Sequence, residues 1–242
     1  MCVELYKEYG TTMAGLKALG FKFDNDEFHA YVHGRLPYEI LRPDPMLKNL
    51  LLSIPQRKII FTNADKAHVE KVLGKLGLED CFEGVICFET LNPPLKPIDH
   101  LDEKDITVPS TLIPSMGQNG DGCFSETNSE TDTIYCADPS NANSGMPILC
   151  KPSIEAIKAA IKIADINPRK TIFFDDSARN IAAGKAAGLH TVIVGSSVVV
   201  PGADHALSSI HNIREALPEI WEGGDDSKSV LTSTTVETIV LA

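Results

Sequence analysis

Three polar groups along the chain have side chains suited to holding a phosphate group and a divalent cation. Thr62 and Asn63 follow the apolar run KIIF, Lys151 precedes an amphipathic stretch, and Asp175 and Asp176 follow the run TIFF. A phosphate is bound by hydroxyl and backbone N–H donors together with a positive charge. Magnesium prefers carboxylate oxygens in octahedral geometry. These residue types therefore point to phosphoryl chemistry.

Each group also has a simpler structural interpretation. Thr62 could cap the helix that follows it, and Lys151 could be a solvated surface lysine. The Asp175–Asp176 pair is harder to explain structurally, because adjacent like charges are costly unless a cation compensates them. The functional interpretation gains weight from the three groups together, since each supplies a different requirement of the same chemistry.

The elements that must position these residues alternate between strands and helices. Short apolar runs predict strands at 58–62, 84–89, 171–176 and 191–195, and amphipathic stretches such as 153–164 predict helices between them. Continuous apolar strands alternating with such helices are typical of an α/β fold with a doubly wound parallel sheet. Ligands of such sheets bind at the carboxyl ends of the strands, where the polar groups stand.

Composition and charge exclude several classes of protein. The 242 residues are 43% hydrophobic and 23% charged, which is typical of a globular protein. The net charge of −11 is concentrated in residues 92–148, which hold nine acidic and two basic residues. No basic stripe is present for a nucleic-acid backbone, and no apolar run approaches the ~20 residues of a membrane span. Nucleic acid and membrane are therefore excluded as main partners.

The remaining compositional signals concern compartment and disorder. Six cysteines are scattered without a CxxC pair, and the first residues lack the order of a signal peptide. We therefore expect reduced thiols and a cytoplasmic location, with the nucleus as an alternative. Residues 92–148 are rich in Asn, Ser, Thr, Gly and Pro, which predicts a disordered insertion, and 222–242 are predicted as a flexible tail.

A family resemblance rests on several strings in order along the chain. FTNAD (61–65), KPS (151–153) and FFDDSARNI (173–181) resemble the second, third and fourth motifs of the haloacid dehalogenase superfamily of hydrolases. HGRLPYE (33–39) and LRPDP (41–45) are similar to its pyrimidine 5′-nucleotidase-like subgroup. The resemblance implies an α/β core with a helical cap, Mg²⁺ as cofactor, and a small phosphorylated metabolite such as a nucleotide as ligand.

The resemblance also implies a role for each candidate residue. Thr62 would bind the phosphoryl group together with the amide of Asn63, and Lys151 would act as the catalytic lysine that neutralises the nucleophile and the phosphate. Asp176 would bind Mg²⁺ directly, and Asp175 would do so through a water molecule.

The sequence departs from the family at the first motif, an Asp-x-Asp-x-Thr whose first aspartate attacks phosphorus. No such string occurs in the 242 residues, and the nearest, FDNDE at 23–27, is typical of a helix N-cap. We therefore expect the central first strand to be missing, which would leave its two neighbours without hydrogen-bond partners. The expected organisation is a partial helical cap (1–40), a core (41–91 and 149–221), the insertion (92–148) and the tail (222–242).

Two functions follow from this departure. The first is a Mg²⁺-dependent phosphomonoesterase of nucleoside 5′-monophosphates that acts through a phosphoaspartate, with this chain shortened and inactive. The alternative is a non-catalytic module that binds a phosphate ligand or regulates another protein. In the cap region, His29, His33, Arg35 and Tyr38 could either read a base or sugar or serve as packing and surface residues.

Overall fold

The computed structural model describes residues 1–93, 147–221 and 236–242. Nearly all of the predicted insertion at 92–148 therefore lies outside the described residues, as does the first part of the predicted tail. Within the described helices, none is long and apolar enough to cross a membrane.

The chain begins with three short helices, α1 (Cys2–Tyr9), α2 (Thr12–Ala18) and α3 (Asn25–His33). The Thr11 hydroxyl accepts a hydrogen bond from the N–H of Ala14 at the start of α2. The Asp24 carboxylate does the same for Glu27 at the start of α3, at 2.9 Å. The string FDNDE is therefore a helix N-cap, as the sequence indicates.

The core is a six-stranded sheet in which every neighbouring pair is parallel and the order is β2-β1-β6-β3-β4-β5. This confirms the predicted α/β fold with a parallel sheet. The strands are β1 (Arg57–Phe61), β2 (Gly84–Ile86), β3 (Thr171–Asp175), β4 (His190–Val194), β5 (His205–Leu207) and β6 (Thr238–Leu241).

Helices cover both faces of the sheet, because successive residues of each strand point to opposite faces. Phe173 and Val240 pack on one face in a cluster with residues of α7 and α8. Phe174 and Ile239 pack on the other face in a cluster with residues of α4 and α9. The core helices are α4 (Pro45–Ser53), α5 (Lys66–Leu76), α6 (Phe88–Leu91), α7 (Ile154–Ala164), α8 (Ala178–Ala186) and α9 (Ile213–Ala216).

The central position of the sheet is filled by β6, from the last residues of the chain. Thr238 to Leu241 pair with β1 on one side and with β3 on the other, so both neighbours have hydrogen-bond partners. The expectation that the neighbours of the missing first strand are unpaired is therefore wrong, because the last strand of the chain lies between them. The prediction of a flexible tail is also wrong for 238–241, because Ile239 and Val240 are apolar enough to be buried between the two halves of the sheet.

Candidate active site

The carboxyl ends of β1 and β3 place the predicted site residues at one edge of the sheet. Thr62 and Asn63 follow β1, Asp175 is the last residue of β3, and Asp176 follows it. Lys151 lies in the loop before α7, whose N-cap Ser153 accepts a hydrogen bond from the N–H of Ala156. The structure therefore brings the three predicted groups to the same edge.

Lys151 spans the end of β6 and joins the two strands beside it. Its Nζ donates to the carbonyl oxygen of Phe61, the last residue of β1, at 2.7 Å, and to Asp175 Oδ2 at 3.0 Å. The side chain is only 6% exposed, so the alternative of a solvated surface lysine is wrong. Burial lowers the pKa of the Lys151 ammonium, and the negative charge of Asp175 opposes that shift.

The main chain of Lys151 is held by the side chain of Asn63. Asn63 Nδ2 donates to the Lys151 carbonyl oxygen at 3.0 Å, and the Lys151 N–H donates to Asn63 Oδ1 at 2.8 Å. Both polar atoms of the Asn63 amide are therefore occupied in positioning Lys151. Its predicted contact with the phosphoryl group would therefore be made by its main-chain N–H.

Thr62 is partly exposed, and its Oγ1 accepts a hydrogen bond from the N–H of Ala64 at 3.1 Å. The N-cap of the following helix α5 is Asp65, whose carboxylate accepts from the N–H of His68. The alternative interpretation of Thr62 as the cap of that helix is therefore wrong. Its hydroxyl hydrogen remains available to donate.

The carboxylate of Asp175 is buried and surrounded by donors. Oδ1 accepts from the N–H of Ser177 at 2.8 Å, and Asn180 Nδ2 lies 3.0 Å and 3.1 Å from the two carboxylate oxygens. Together with Lys151, these groups provide the hydrogen-bond donors that a buried carboxylate requires. Asn180 is a further residue of this site that the motif FFDDSARNI does not single out, and its place in the first turn of α8 brings its amide to the end of β3.

The predicted magnesium ligands fit the ion only in part. Asp176 is exposed, whereas both oxygens of Asp175 already accept hydrogen bonds. Across the described ranges, no group of three or more His, Cys, Asp or Glu side chains is arranged to hold a metal ion. Two carboxylates would leave most of the six positions around the ion to water molecules, so the chain itself would hold the ion through few ligands.

The cap helices contact the core next to this site. Gly10, at the end of α1, has a φ of 88°, and a Cβ atom there would lie 2.7 Å from the Lys151 carbonyl oxygen. Arg179 donates to the carbonyl oxygens of Tyr6 and Lys7 in the last turn of α1, at 3.0 Å and 2.7 Å, and the Tyr6 carbonyl also accepts from the N–H of Gly10. These contacts fix the first cap helix beside Lys151.

Comparison with known proteins finds a matching family model and a similar curated protein. Residues 126–194 match the family model of haloacid dehalogenase-like hydrolases, which is less than half of the chain. Phosphate metabolism protein 8 of Saccharomyces cerevisiae is 30% identical over 88 residues, or 33% of this chain. The aligned region spans only 27% of that yeast protein.

Two solved structures are similar to this chain at low identity. Both are L-2-haloacid dehalogenase from Xanthobacter autotrophicus, one of them with chloropropionic acid covalently bound, at 11% and 12% identity and a TM-score of 0.45. Each comparison covers 86% of this chain and 72% of the dehalogenase. The chain is therefore similar to haloacid dehalogenase-like hydrolases over residues 126–194, and it spans only about a quarter of the length of the yeast protein that it matches.

Proposed function

We propose that the edge of the sheet at β1 and β3 binds the phosphate of a small phosphomonoester, with nucleoside 5′-monophosphates, and pyrimidine ones in particular, as the substrate class. The observation that carries the proposal is the buried ammonium of Lys151, held between the ends of β1 and β3. A fixed positive charge beside a partly exposed hydroxyl provides the two kinds of group that a phosphate dianion requires. The word phosphate in the name of the yeast relative favours a phosphate ester over other hydrolase substrates.

Each residue of the site would have a different role in binding the phosphate group. Thr62 Oγ1 and the main-chain N–H of Asn63 would donate to the phosphoryl oxygens, and Lys151 would neutralise their charge. Asn63 and Asp175 would hold Lys151 in place through the contacts described above. Asp176, with Asp175 behind it, would be the site of a weakly held Mg²⁺, which would offset the charge of the phosphate when bound.

Hydrolysis would need a nucleophile that these residues do not provide. The superfamily mechanism implied by the resemblance uses an aspartate of an Asp-x-Asp-x-Thr motif, and that motif is absent from the 242 residues. Removing the nucleophile of a covalent mechanism removes most of the rate enhancement even where the binding groups remain. We therefore infer that this chain binds a phosphomonoester without hydrolysing it. Its function would then be to bind a phosphate ligand or to regulate another protein.

Calorimetric titration with uridine 5′-monophosphate and with inorganic phosphate tests the binding proposal. Loss of one hydrogen bond to a charged ligand costs about 1.5–3 kcal/mol, so Thr62→Val should weaken phosphate binding by roughly 10- to 100-fold. Thr62→Ser keeps the hydroxyl and is the matched control, with affinity close to that of the unaltered chain. Equal affinities for Thr62→Val and Thr62→Ser would contradict the proposed site.

A further inference from the structure

Three imidazole rings lie against one another where the cap helix α3 meets the core. The ring centroids of His29 and His33, one turn apart on α3, are 5.4 Å apart with nearly parallel planes. The ring of His68, in the first turn of α5, lies 4.4 Å from that of His33. These residues are the histidine cluster of the chain, and the proposed phosphate site uses none of them.

Helix α3 contacts the core through this cluster. His29 is the buried residue of α3, at 6% exposure, and it packs edge-on against Phe88 of α6 with ring centroids 4.5 Å apart. The second contact is the hydrogen bond between His33 Nδ1 and the Asp65 carboxylate. The outward residues Tyr31 and Val32 are exposed and add nothing to this attachment. Because the buried imidazole of His29 makes the first of these contacts, the attachment depends on the protonation of His29.

The cluster has one carboxylate within hydrogen-bonding distance. Asp65 bonds His33 and also accepts from the main-chain N–H of His68. Glu89 and Asp26 act on His29 only through space, and Glu89 already accepts from the N–H of Lys66. Among the described residues, His29 Nδ1 has no hydrogen-bond partner. A proton added to His29 would therefore lack a bonded counterion.

On the other side of the cluster, the groups that face His68 would not stabilise a positive charge on its imidazole. The Tyr38 hydroxyl lies 2.8 Å from His68 Nδ1, and the ammonium of Lys71 lies over the Tyr38 ring, 4.0 Å from its centroid. The imidazole of His33, whose ring centroid lies 4.4 Å from that of His68, disfavours a positive charge on His68. Protonation of all three imidazoles would place like charges in a partly buried space with a single bonded anion.

The direction of the pH effect follows from these surroundings. Burial lowers the pKa of both His29 and His68, so docking of α3 favours their neutral forms. An undocked histidine titrates near its ordinary pKa of about 6.5. Docking is therefore fully favourable above that value and weakens as the pH falls through it towards the lower pKa of the docked state.

We propose that the histidine cluster is an acid-sensitive latch that releases helix α3 from the core when His29 and His68 take up protons. The device is independent of the phosphate site, because the release changes the attachment of the cap rather than the groups at the end of β1 and β3. Histidine clusters suit this use because their charge changes between pH 5 and 8.

Amide hydrogen exchange of the whole chain, read by mass spectrometry at pH 7.5 and 5.5, tests the latch. After correction for the chemical dependence of exchange on pH, the peptide covering α3 should lose protection several-fold at pH 5.5, because docking favours the neutral histidines. The peptide covering α7, which packs in the core, should keep its protection. A change in α3 no larger than that in α7 would overturn the proposal, and this comparison needs no variant.

The double variant His29→Phe/His68→Asn removes the two titrating groups while keeping an aromatic ring against Phe88. Its α3 peptide should show the same corrected protection at both pH values, whereas His190→Gln, on strand β4, should respond like the unaltered chain. If the double variant does not fold by circular dichroism, His29→Phe alone should show a smaller pH response than His190→Gln. A full response in the folded His29 variants would contradict the assignment of the latch to this cluster.

Discussion

Lys151 Nζ and Asp175 Oδ2 lie 3.0 Å apart, above the end of the central strand β6, and both side chains are almost fully buried. The pair joins the loop before α7 to the end of β3, 24 positions away in the chain. Lys151 also reaches the end of β1, which is separated from β3 by the strand β6. Asn63 and Asn180 support it from either side through their side-chain amides. The arrangement holds a positive charge in place at the candidate phosphate site.

This burial makes the pair sensitive to loss of one partner. Lys151→Met should lower the free energy of unfolding by about 3–5 kcal/mol, because it leaves the Asp175 carboxylate buried without its counterion. The exposed pair of Lys170 and Glu237 provides the control, and Lys170→Met should cost ~1 kcal/mol or less. Urea denaturation measures the free energy of unfolding of both variants. Similar decreases would show that the buried pair contributes no more to stability than the exposed pair.

The central strand gives a second prediction. Ile239 is fully buried between the two halves of the sheet, so Ile239→Ala should destabilise the fold by about 2–5 kcal/mol. Ile40 is 72% exposed, and Ile40→Ala should change stability by roughly 0.5 kcal/mol or less. Thermal denaturation followed by circular dichroism compares the two. An Ile239→Ala variant as stable as Ile40→Ala would mean that β6 is not part of the folded core.

The contrast between β3 and β6 shows what could be predicted from the sequence. TIFFDD predicts β3 because a run of β-branched and aromatic residues is buried on both faces, and the structure confirms it at Thr171–Asp175. TIVL is equally apolar but follows a polar, acidic stretch, so its composition pointed to a tail. Its place between β1 and β3 depends on pairing with residues far away in the chain, and no local pattern encodes that.

Local capping explains a second difference. GVICFE predicts a strand over 84–89, but β2 ends at Ile86 and α6 begins at Phe88. The N–H of Cys87 donates to Thr90 Oγ1 at 3.2 Å, which favours a helix start at the point where the apolar run continues. Two contacts of the site are likewise not predictable from the sequence. Asn180 bonds Asp175 and Asn63 bonds the main chain of Lys151, and in both cases the partner lies on another element.

The ends of the predicted insertion are tied together. Asn92 Nδ2 donates to the Leu149 carbonyl oxygen at 2.9 Å, and the Leu149 N–H donates to Asn92 Oδ1 at 2.8 Å. A Gly/Ser linker in place of residues 95–146 should therefore leave cooperative unfolding and soluble expression intact, because the junction is closed by residues that remain. Asn92→Ala should instead cost about 1–3 kcal/mol by leaving the Leu149 amide groups unpaired.

Loss of soluble expression in the linker variant would mean that residues 95–146 contribute to folding. Equal stability of Asn92→Ala and the unaltered chain would mean that the two hydrogen bonds between Asn92 and Leu149 are not needed to close the junction. Denaturation in urea distinguishes these outcomes, since both variants retain every strand of the sheet.

Magnesium binding should be weak. The carboxylates of Asp175 and Asp176 provide two ligand groups, and the first is already surrounded by donors, so we expect a dissociation constant in the millimolar range, about −4 kcal/mol or weaker. Calorimetry with MgCl₂ measures the affinity. A micromolar dissociation constant, with binding that disappears in Asp176→Asn, would contradict the prediction that Mg²⁺ binds weakly.

The measurement that tests the central claim most directly is ³¹P NMR of uridine 5′-monophosphate incubated with the purified chain and Mg²⁺. We predict that the nucleotide signal shifts or broadens on binding, that Thr62→Val abolishes this change, and that no inorganic phosphate appears above the protein-free background. Steady release of inorganic phosphate that disappears in Asp176→Asn would contradict the account, because another residue of this chain would then have to serve as the nucleophile.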